Sequence, residues 1–303
     1  MNHSTMNHYI KALRAPFLAG SLTPVIIGAA FAFVHRQLSF SLFFITSMGV
    51  AALHLASNLL NDYYDAKGSD PVNVRVTPFS GGSRVIQNKQ IRPRYVLLLS
   101  VFFYALSVAA GIWLVFLERP LVIAIGLFGF ALGWAYSAPP LQLMSRGWGE
   151  ISIFFAFGPF ITLGAYYAIS GSLSWPAFAL GLPHGFFITA VIWINQFPDY
   201  QADRQANKKN LVVRLGPKIS RYPYCLIMLL AFITVIFLVS IAALSYMIML
   251  SFIAIPLAFK AMRILWREYL SHERLVPAQA LTIHTLIAHG MLLSLGLVLS
   301  RFV

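Results

Sequence analysis

The stretch Leu55–Asp70, LASNLLNDYYDAKGSD, closes a long apolar run and places three carboxylates within nine residues, at Asp62, Asp65 and Asp70. The whole chain of 303 residues contains only nine aspartates and glutamates. An ionised carboxylate at the edge of a membrane is costly unless it faces water or a partner. A third of the acidic residues of the chain therefore lie where their charge requires water or a partner.

The composition predicts a membrane protein around this stretch. Apolar residues make up 59% of the chain and charged residues 10%, whereas a soluble domain carries about 25% charged residues. Nine apolar runs approach the roughly 20 residues that span a bilayer, at about 15–34, 38–60, 95–116, 120–138, 151–170, 176–195, 224–241, 244–260 and 280–300. We expect an all-α, polytopic membrane protein: a single domain over residues 1–303, with about nine transmembrane helices in a bundle and an active-site cavity that faces the cytoplasm.

The N-terminus and the cysteine content narrow this prediction. The segment 1–14, MNHSTMNHYIKALR, has its basic residues late and is not followed by a small-residue cleavage site, so we expect the first span to remain in the mature protein. Cys225 is the single cysteine. It excludes an internal disulfide and a cysteine-based metal cluster.

The distribution of positive charge predicts the orientation. The chain carries 22 Lys and Arg residues and a net charge of +13. With nine spans and an inside N-terminus, 19 of the 22 lie on the inside, and Arg36, Arg119 and Arg301 lie outside. The positive-inside rule accounts for this asymmetry without a nucleic-acid partner. We expect a multi-pass protein of the cell (inner) membrane.

Two polar segments, 61–94 and 195–223, are longer than the other connections, and an even number of spans places them on the same side. The first begins Asn58-x3-Asp62-x2-Asp65, and the second, NQFPDYQADR, reads Asn195-x3-Asp199-x3-Asp203. Steps of three and four residues put each set on one helix face. The Asn-x3-Asp core recurs 137 residues later, followed by Tyr both times, which hints at an internal duplication.

Facing stripes of carboxylates repel one another unless a cation lies between them. Mg²⁺ favours one or two carboxylates together with water and substrate phosphates, and an asparagine oxygen can complete the shell. The stripes therefore predict that Asp62, Asp65, Asp199 and Asp203 bind Mg²⁺ against a diphosphate. The alternative is that acids at helix ends pair with nearby Lys or Arg at the membrane interface.

Cations and a glycine turn lie in the same polar segments. Arg14 opens the first span, the first segment holds Arg75 and Arg84 around Gly81-Gly82, and the second supplies Lys208 and Lys209. A glycine-rich turn can aim backbone N–H groups at an anion. Each cation taken singly is also explained by positive-inside anchoring, so the prediction depends on the set.

With these motifs in place, the sequence resembles the UbiA superfamily of intramembrane aromatic prenyltransferases. NDYYDAKGSD is similar to the first acidic motif of that family, although Asp70 follows Asp65 by five residues rather than four, and DYQAD is similar to the second. The likeness extends to RAPFLAGSLTPVIIG and YSAPPLQLMSRGWGEISIFFAFGP. Many members place a Lys shortly after the Pro pair. Here Leu141-Gln142 follow Pro140, and Arg146 is the candidate replacement.

Within the superfamily the pattern is most similar to MenA-like 1,4-dihydroxy-2-naphthoate polyprenyltransferases of menaquinone synthesis, on the segments KGSD, RGWGE and KKNLVVRLG. The resemblance implies Mg²⁺-dependent transfer of a prenyl group from a prenyl diphosphate to an aromatic acceptor, with loss of CO₂ for the naphthoate. Acceptors of 4-hydroxybenzoate, chlorophyllide-like or lipid-alcohol type are the alternatives. The sequence leaves the general base, donor chain length and oligomeric state open.

The resemblance also implies roles for residues. Asp62, Asp65, Asp199 and Asp203 are the expected catalytic and metal-binding residues. Tyr136 and Tyr200 are candidates to stabilise an allyl cation through their ring faces. The expected substrate-binding residues are Arg14, Asn58, Asn61, Lys67, Arg75, Arg84, Tyr136, Arg146, Asn195, Tyr200, Lys208 and Lys209.

Three rival functions are weighed against this one. A cation transporter also uses intramembrane acids, but here they lie at one face of the membrane rather than at its midplane. A phospholipid-type phosphotransferase would show a different acidic spacing. A scaffold built on an inactive fold would not need intact acidic motifs. His54, one turn before Asn58, is expected either to line the cavity or to bond a neighbouring span.

Overall fold

The computed structural model describes residues 3–242 and 244–303, and within these ranges the chain is helical with no strand. The α-helices, numbered α1 to α13 in chain order, are His3–Leu13, Ala19–Val34, Phe40–Asp65, Pro93–Phe116, Val122–Ser137, Gly149–Phe155, Ile161–Ser170, Trp175–Leu180, Leu182–Gln205, Leu211–Leu215, Pro217–Ser240, Ile255–Glu268 and His272–Leu299.

In the described residues, eight helical segments are long and apolar enough to cross a membrane, and α5 adds a shorter apolar helix of 16 residues. Continuous helical segments such as Gly149–Ser170 and Trp175–Gln205 join helices separated by a local irregularity. The prediction of an all-α membrane bundle with about nine spans is therefore confirmed. Its boundaries differ at the polar end, because α3 continues to Asp65 and α9 to Gln205.

The extension of α3 and α9 is what makes the acidic stripes rigid. α3 has 26 residues and is preceded by the N-cap residue Ser39, whose side chain accepts from the amide of Leu42. α9 has 24 residues and tolerates Pro198 inside the helix, as membrane helices do when neighbours satisfy the freed carbonyl. The acids of both stripes, Asp62, Asp65, Asp199 and Asp203, therefore lie on helical backbone.

The helices bury two main apolar clusters. One lies among α2, α7, α8 and α13, and the other among α9, α11, α12 and α13. α3 packs along α4, and a smaller cluster joins these two helices to α5. The ends of α3 and α9 that carry the acids are left facing one cavity.

Glycines bring the backbone of α9 against α6 and the turn that follows it. The segment Ala156–Phe160 is a π-helical turn that contains Pro159. A Cβ on Gly158 would lie 2.6 Å from the carbonyl oxygen of Gly181, and one on Gly185 would lie 2.7 Å from that of Phe154. Small residues allow membrane helices to approach this closely, and the contact fixes the end of α6 beside the start of α9.

Candidate active site

The two acidic stripes meet at one cavity of about 290 Å³. From α3 it is lined by Asn58, Asn61 and Asp65, and from α9 by Asn195 and Asp199, with Asp203 one turn further along. The predicted helical spacing therefore corresponds to one wall on each side of the cavity.

A lysine bridges the two stripes. The Nζ of Lys208 lies 2.8 Å from Asp65 Oδ1 and 3.5 Å from Asp203 Oδ1, so one ammonium group joins α3 to the end of α9. Burial by itself lowers the pKa of Lys208, but the carboxylates of Asp65 and Asp203 outweigh it and hold the pKa above its ordinary value. Lys208 therefore remains charged.

The turn at the end of α9 directs Lys208 back toward the acids. Asn207 adopts a left-handed conformation with φ 56°, and the amide of Lys208 donates to the carbonyl of Asp203 at 2.9 Å. This is the geometry of a Schellman cap, which asparagine tolerates. Asn210 then donates to Asp203 Oδ2 at 2.8 Å while its own oxygen caps α10.

Asp62 lies just behind the cavity wall, 3% exposed. Its two oxygens accept from the amide of Ser83 at 3.3 Å, and Nη1 of Arg14 lies 3.9 Å from Oδ1. Arg14 itself has φ 50° at the junction of α1 and the turn Ala15–Leu18. Asp62 is therefore paired on one side with a cation and on the other with the glycine turn.

The glycine turn approaches the acids because it has no side chains. Gly82 has φ +72°, and a Cβ there would lie 2.8 Å from Asp70 Oδ2 and 3.2 Å from Asp62 Oδ1. The backbone of Gly82 thus fits between two carboxylates. An L-residue with a side chain would meet both the strained conformation and the steric contact.

The segment between α3 and α4 crosses the cavity mouth and bonds to both stripes. Asn73 Nδ2 donates to Asp199 Oδ1 at 2.7 Å, Gln87 Nε2 donates to Asp70 Oδ2 at 2.9 Å, and Arg84 donates to the carbonyl of Asp70. Burial, with the nearby carboxylates of Asp65 and Asp62, raises the pKa of Asp70 to about 7. Around Asp70, the carboxylates of Asp65 and Asp62 thus have a larger effect than the cations of Lys208 and Arg84.

Away from the acids the cavity is apolar. Val50 and Leu53 of α3, Leu132 of α5 and Phe157 beyond α6 line it. His54 also lines this part, and its Nδ1 lies 2.8 Å from Ser21 Oγ, so both expectations for His54 hold together. The cavity therefore combines a polar, charged end with an apolar body.

The structure sorts the predicted residues into two groups. The cavity wall includes Arg14, Asn58, Asn61, Asp65, Tyr136, Asn195, Asp199, Asp203 and Lys208, with Asp62 directly behind it. The wall does not include Lys67, Arg75, Arg84, Arg146, Tyr200 or Lys209.

The residues outside the wall have other contacts. The ammonium of Lys67 lies over the Tyr63 ring, 5.2 Å from its centroid, and Arg146, the candidate for the missing loop cation, donates to the carbonyl of Pro140 at 2.7 Å. Tyr200 packs against the apolar cluster of α9, α11, α12 and α13. The side chain of Lys209 is exposed. The structure therefore brings none of these side chains to the cavity wall.

Several contributing residues were not anticipated. Asn73, Ser83, Asn210 and Gln196 each bond a carboxylate at or near the site. Three of them lie in irregular segments, where no periodicity marks which side chain turns inward. Gln196 had a signal, since it directly follows Asn195 on the helix that carries the second stripe.

Oxygen donors from two helices suit a hard divalent cation. In the parts of the chain that the structure describes, no three His, Cys, Asp or Glu side chains converge closely enough to form a metal site. The Lys208 ammonium nevertheless lies between carboxylates of both stripes, and Asp70 and Asp199 line the same cavity. The residues therefore fit a cation at this end of the cavity.

A membrane-spanning helical bundle with a charged cavity mouth and an apolar cavity body defines a multi-pass membrane protein with an internal cavity. The chain belongs to the UbiA prenyltransferase family, which matches residues 21–299. It is a prenyltransferase and a multi-pass membrane protein. The resemblance read from the acidic motifs is thus confirmed.

The chain is similar to relatives over most of its length. It is 24% identical over 285 residues to the 1,4-dihydroxy-2-naphthoate octaprenyltransferase of Bacillus subtilis, covering 94% of this chain and 90% of that protein. It is 29% identical to the protein of the same name from Mycobacterium tuberculosis, covering 71% and 72%. It is 28% identical to human UbiA prenyltransferase domain-containing protein 1, covering 84% and 74%.

Solved structures share the fold. The apo structure of a UbiA homologue from Aeropyrum pernix K1 superposes with a TM-score of 0.66 at 16% identity, covering 92% of this chain and 97% of that one. A UbiA homologue from Archaeoglobus fulgidus bound to GPP and Mg²⁺ gives a TM-score of 0.60 at 20% identity, covering 94% and 99%.

Proposed function

We propose that this prenyltransferase transfers a polyprenyl group from a prenyl diphosphate to 1,4-dihydroxy-2-naphthoate, with loss of CO₂, in menaquinone synthesis. The observation that carries the reaction class is the cavity itself, whose mouth gathers the carboxylates and cations of α3 and α9 and whose body is apolar. Similarity to naphthoate octaprenyltransferases over 94% of the chain supports the choice of acceptor.

The charged end is suited to the diphosphate. Arg14 and Lys208 line it and supply positive charge, and both face carboxylates in the resting arrangement. Asp62, Asp65, Asp199 and Asp203 supply the oxygen donors for a metal–diphosphate complex. Bound there, Mg²⁺ would supply Lewis-acid neutralisation of the leaving pyrophosphate, and a UbiA homologue of the same fold has been solved with GPP and Mg²⁺.

The apolar body is suited to the rest of the chemistry. Cleavage of the allylic C–O bond leaves a carbocation that must be kept from water, and Leu53, Leu132 and Phe157 provide apolar walls. Tyr136 lines the same cavity and is the aromatic candidate for a cation–π contact. The electron-rich ring carbon of the acceptor attacks this cation, and loss of the carboxyl group restores aromaticity.

The location follows from the charge asymmetry. Lys and Arg are concentrated at the end of the bundle that carries the acids. By the positive-inside rule, we propose that the cavity mouth lies on the cytoplasmic side of the cell membrane. The remaining length of a long prenyl chain would lie among the spans and the surrounding lipid.

A product assay tests the proposal. Purified protein in detergent would be incubated with Mg²⁺, geranylgeranyl diphosphate and, separately, 1,4-dihydroxy-2-naphthoate or 4-hydroxybenzoate, and the lipid extract analysed by mass spectrometry. We expect a prenylated naphthoquinol without the carboxyl mass, lost on adding EDTA and in Asp65→Asn. Glu273→Gln, at an exposed acid in the first turn of α13, is the matched control and should retain activity.

Each other outcome has a defined meaning. Prenylation of 4-hydroxybenzoate alone would keep the reaction class and overturn the naphthoate assignment. No product with any acceptor or donor length from folded protein would overturn the proposal and favour the cation-transport alternative.

A further inference from the structure

Two hydrogen-bond acceptors beside the cavity have no donor. Within residues 3–242 and 244–303, neither Gln196 Oε1 nor Glu150 Oε2 has a hydrogen-bond partner, although both atoms are buried. Gln196 lines the cavity, and Glu150 is 2% exposed at the start of α6. A buried acceptor left without a donor is destabilising, so Gln196 Oε1, beside the cavity, is complementary to a ligand that brings an O–H donor.

The orientation of the Gln196 amide is determined by its neighbour. Gln196 Nε2 donates to Glu150 Oε1 at 2.9 Å, and the amide of Leu211 donates to the same oxygen at 3.1 Å. Because Glu150 Oε1 already accepts from the Leu211 amide, it acts as an acceptor, and the NH₂ group of Gln196 faces it. Its carbonyl oxygen is then the group left for a ligand.

The pair lies beside the expected reaction centre. A Cβ on Gly149, next to Glu150, would lie 3.2 Å from the Tyr136 ring, and Tyr136 lines the cavity. Gln196 precedes Asp199 by three residues on α9, which is about 4.5 Å along a helix axis, and both line the cavity. A ring held at Gln196 thus lies about one helical turn deeper than the nearest acid of the charged end.

We propose that Gln196, oriented by Glu150, recognises a hydroxyl group of the aromatic acceptor. The inference rests on the proposed function only in requiring a hydroxyaromatic acceptor, which dihydroxynaphthoate and 4-hydroxybenzoate both are. Gln196 contacts the substrate in this arrangement, and Glu150 is a positioning residue that acts through Gln196.

Binding measurements without prenyl donor test this directly. Affinities of the full-length protein in detergent would be measured by calorimetry, under argon, for 1,4-dihydroxy-2-naphthoate and for 2-naphthoate, which lacks both hydroxyls. We expect Gln196→Leu to weaken the dihydroxy compound about tenfold and to change the 2-naphthoate Kd less than twofold. A loss of affinity that depends on the ligand's hydroxyl groups isolates the hydroxyl–Gln196 interaction from general damage to the cavity.

Matched variants separate recognition from structure. Gln201→Leu makes the same replacement on the exposed face of α9, and it should leave both Kd values unchanged. Glu150→Gln keeps an oxygen for the Gln196 amide and should weaken dihydroxynaphthoate less than threefold, whereas Glu150→Ala should approach the loss seen in Gln196→Leu. In turnover, Gln196→Leu should raise KM for the acceptor and leave KM for the prenyl diphosphate within twofold.

The two proposals fail in different ways. Equal effects of Gln196→Leu on both naphthoates, or no effect on either, would overturn the role of Gln196 and indicate that water satisfies it. If Gln196→Leu weakens only the dihydroxy compound but wild-type protein forms no prenylated product, the recognition site stands and the proposed function fails.

Discussion

Replacing Lys208 by Met removes the ammonium group that lies 2.8 Å from Asp65 and 3.5 Å from Asp203. At an effective dielectric constant near 20, the gross attractions are about 6 and about 5 kcal/mol, and desolvation of the three groups offsets much of this sum. Breaking a buried ion pair costs about 3–5 kcal/mol. Because the Lys208 and Asp65 side chains are 11% and 16% exposed, we expect the lower end, about 3 kcal/mol.

This loss is measurable as thermal stability in detergent with EDTA. At about 2–4 °C per kcal/mol, Lys208→Met should lower the apparent Tm by roughly 6–12 °C. Lys209→Met is the control, because the side chain of Lys209 is exposed and its backbone amide, which the substitution keeps, donates to Ser145. Its Tm should match wild type.

Magnesium gives a second test of the same reasoning. If Lys208 occupies the place of a cation between the stripes, adding Mg²⁺ should raise the Tm of Lys208→Met more than that of wild type, because ligand binding to the folded state stabilises it. Equal Tm values for the two lysine variants in EDTA, or an equal Mg²⁺ response in all three proteins, would refute the argument.

Three further predictions concern the segment over the cavity mouth. Gly82→Ala places a Cβ 2.8 Å from Asp70 Oδ2 at φ +72°, so its Tm and turnover should fall, whereas Gly111→Ala, whose Cβ meets nothing within 4 Å, should be neutral or slightly stabilising in the same scan. Burial and neighbouring carboxylates raise the pKa of Asp70 from 3.8 to about 7, so the folded chain holds a proton that the unfolded chain releases. Wild type in EDTA should therefore lose stability from pH 5 to 8, and Asp70→Asn should lose less. Parallel curves of Tm against pH for the two proteins would contradict this. Asn73→Ala removes the 2.7 Å hydrogen bond to Asp199. Amide hydrogen exchange should then become faster across residues 66–92 and stay the same in α13. Unchanged exchange in residues 66–92 would show that this hydrogen bond does not hold the segment in place.

The sequence predicted the parts of this molecule that follow from periodicity. Apolar length located the spans, and steps of three and four residues placed Asn58 and Asn195 on the walls of one cavity. The ends of α3 and α9 were drawn about five and ten residues short. A hydropathy window ends where polar residues begin, although the helical hydrogen bonds continue.

The contacts of individual cations could not be predicted in the same way. Lys208 and Lys209 are adjacent in the sequence, yet the left-handed Asn207 turns only Lys208 toward the acids. Tyr200 lies about 100° around α9 from Asp199, and this rotation packs it into the neighbouring apolar cluster. Asn73 reaches Asp199 across 126 residues, a pairing that depends on the path of an irregular segment.

The short helix α5 has a consequence for the surrounding bilayer. Its 16 residues span about 24 Å, whereas the hydrocarbon core is about 30 Å thick. Its residues Ile123 and Leu127 are 48% and 63% exposed, so we expect lipid to thin by roughly 6 Å on this side, at a cost of fractions of a kcal/mol per Å. Since α5 also forms a wall of the cavity, we expect this thinning beside the cavity wall rather than evenly around the protein.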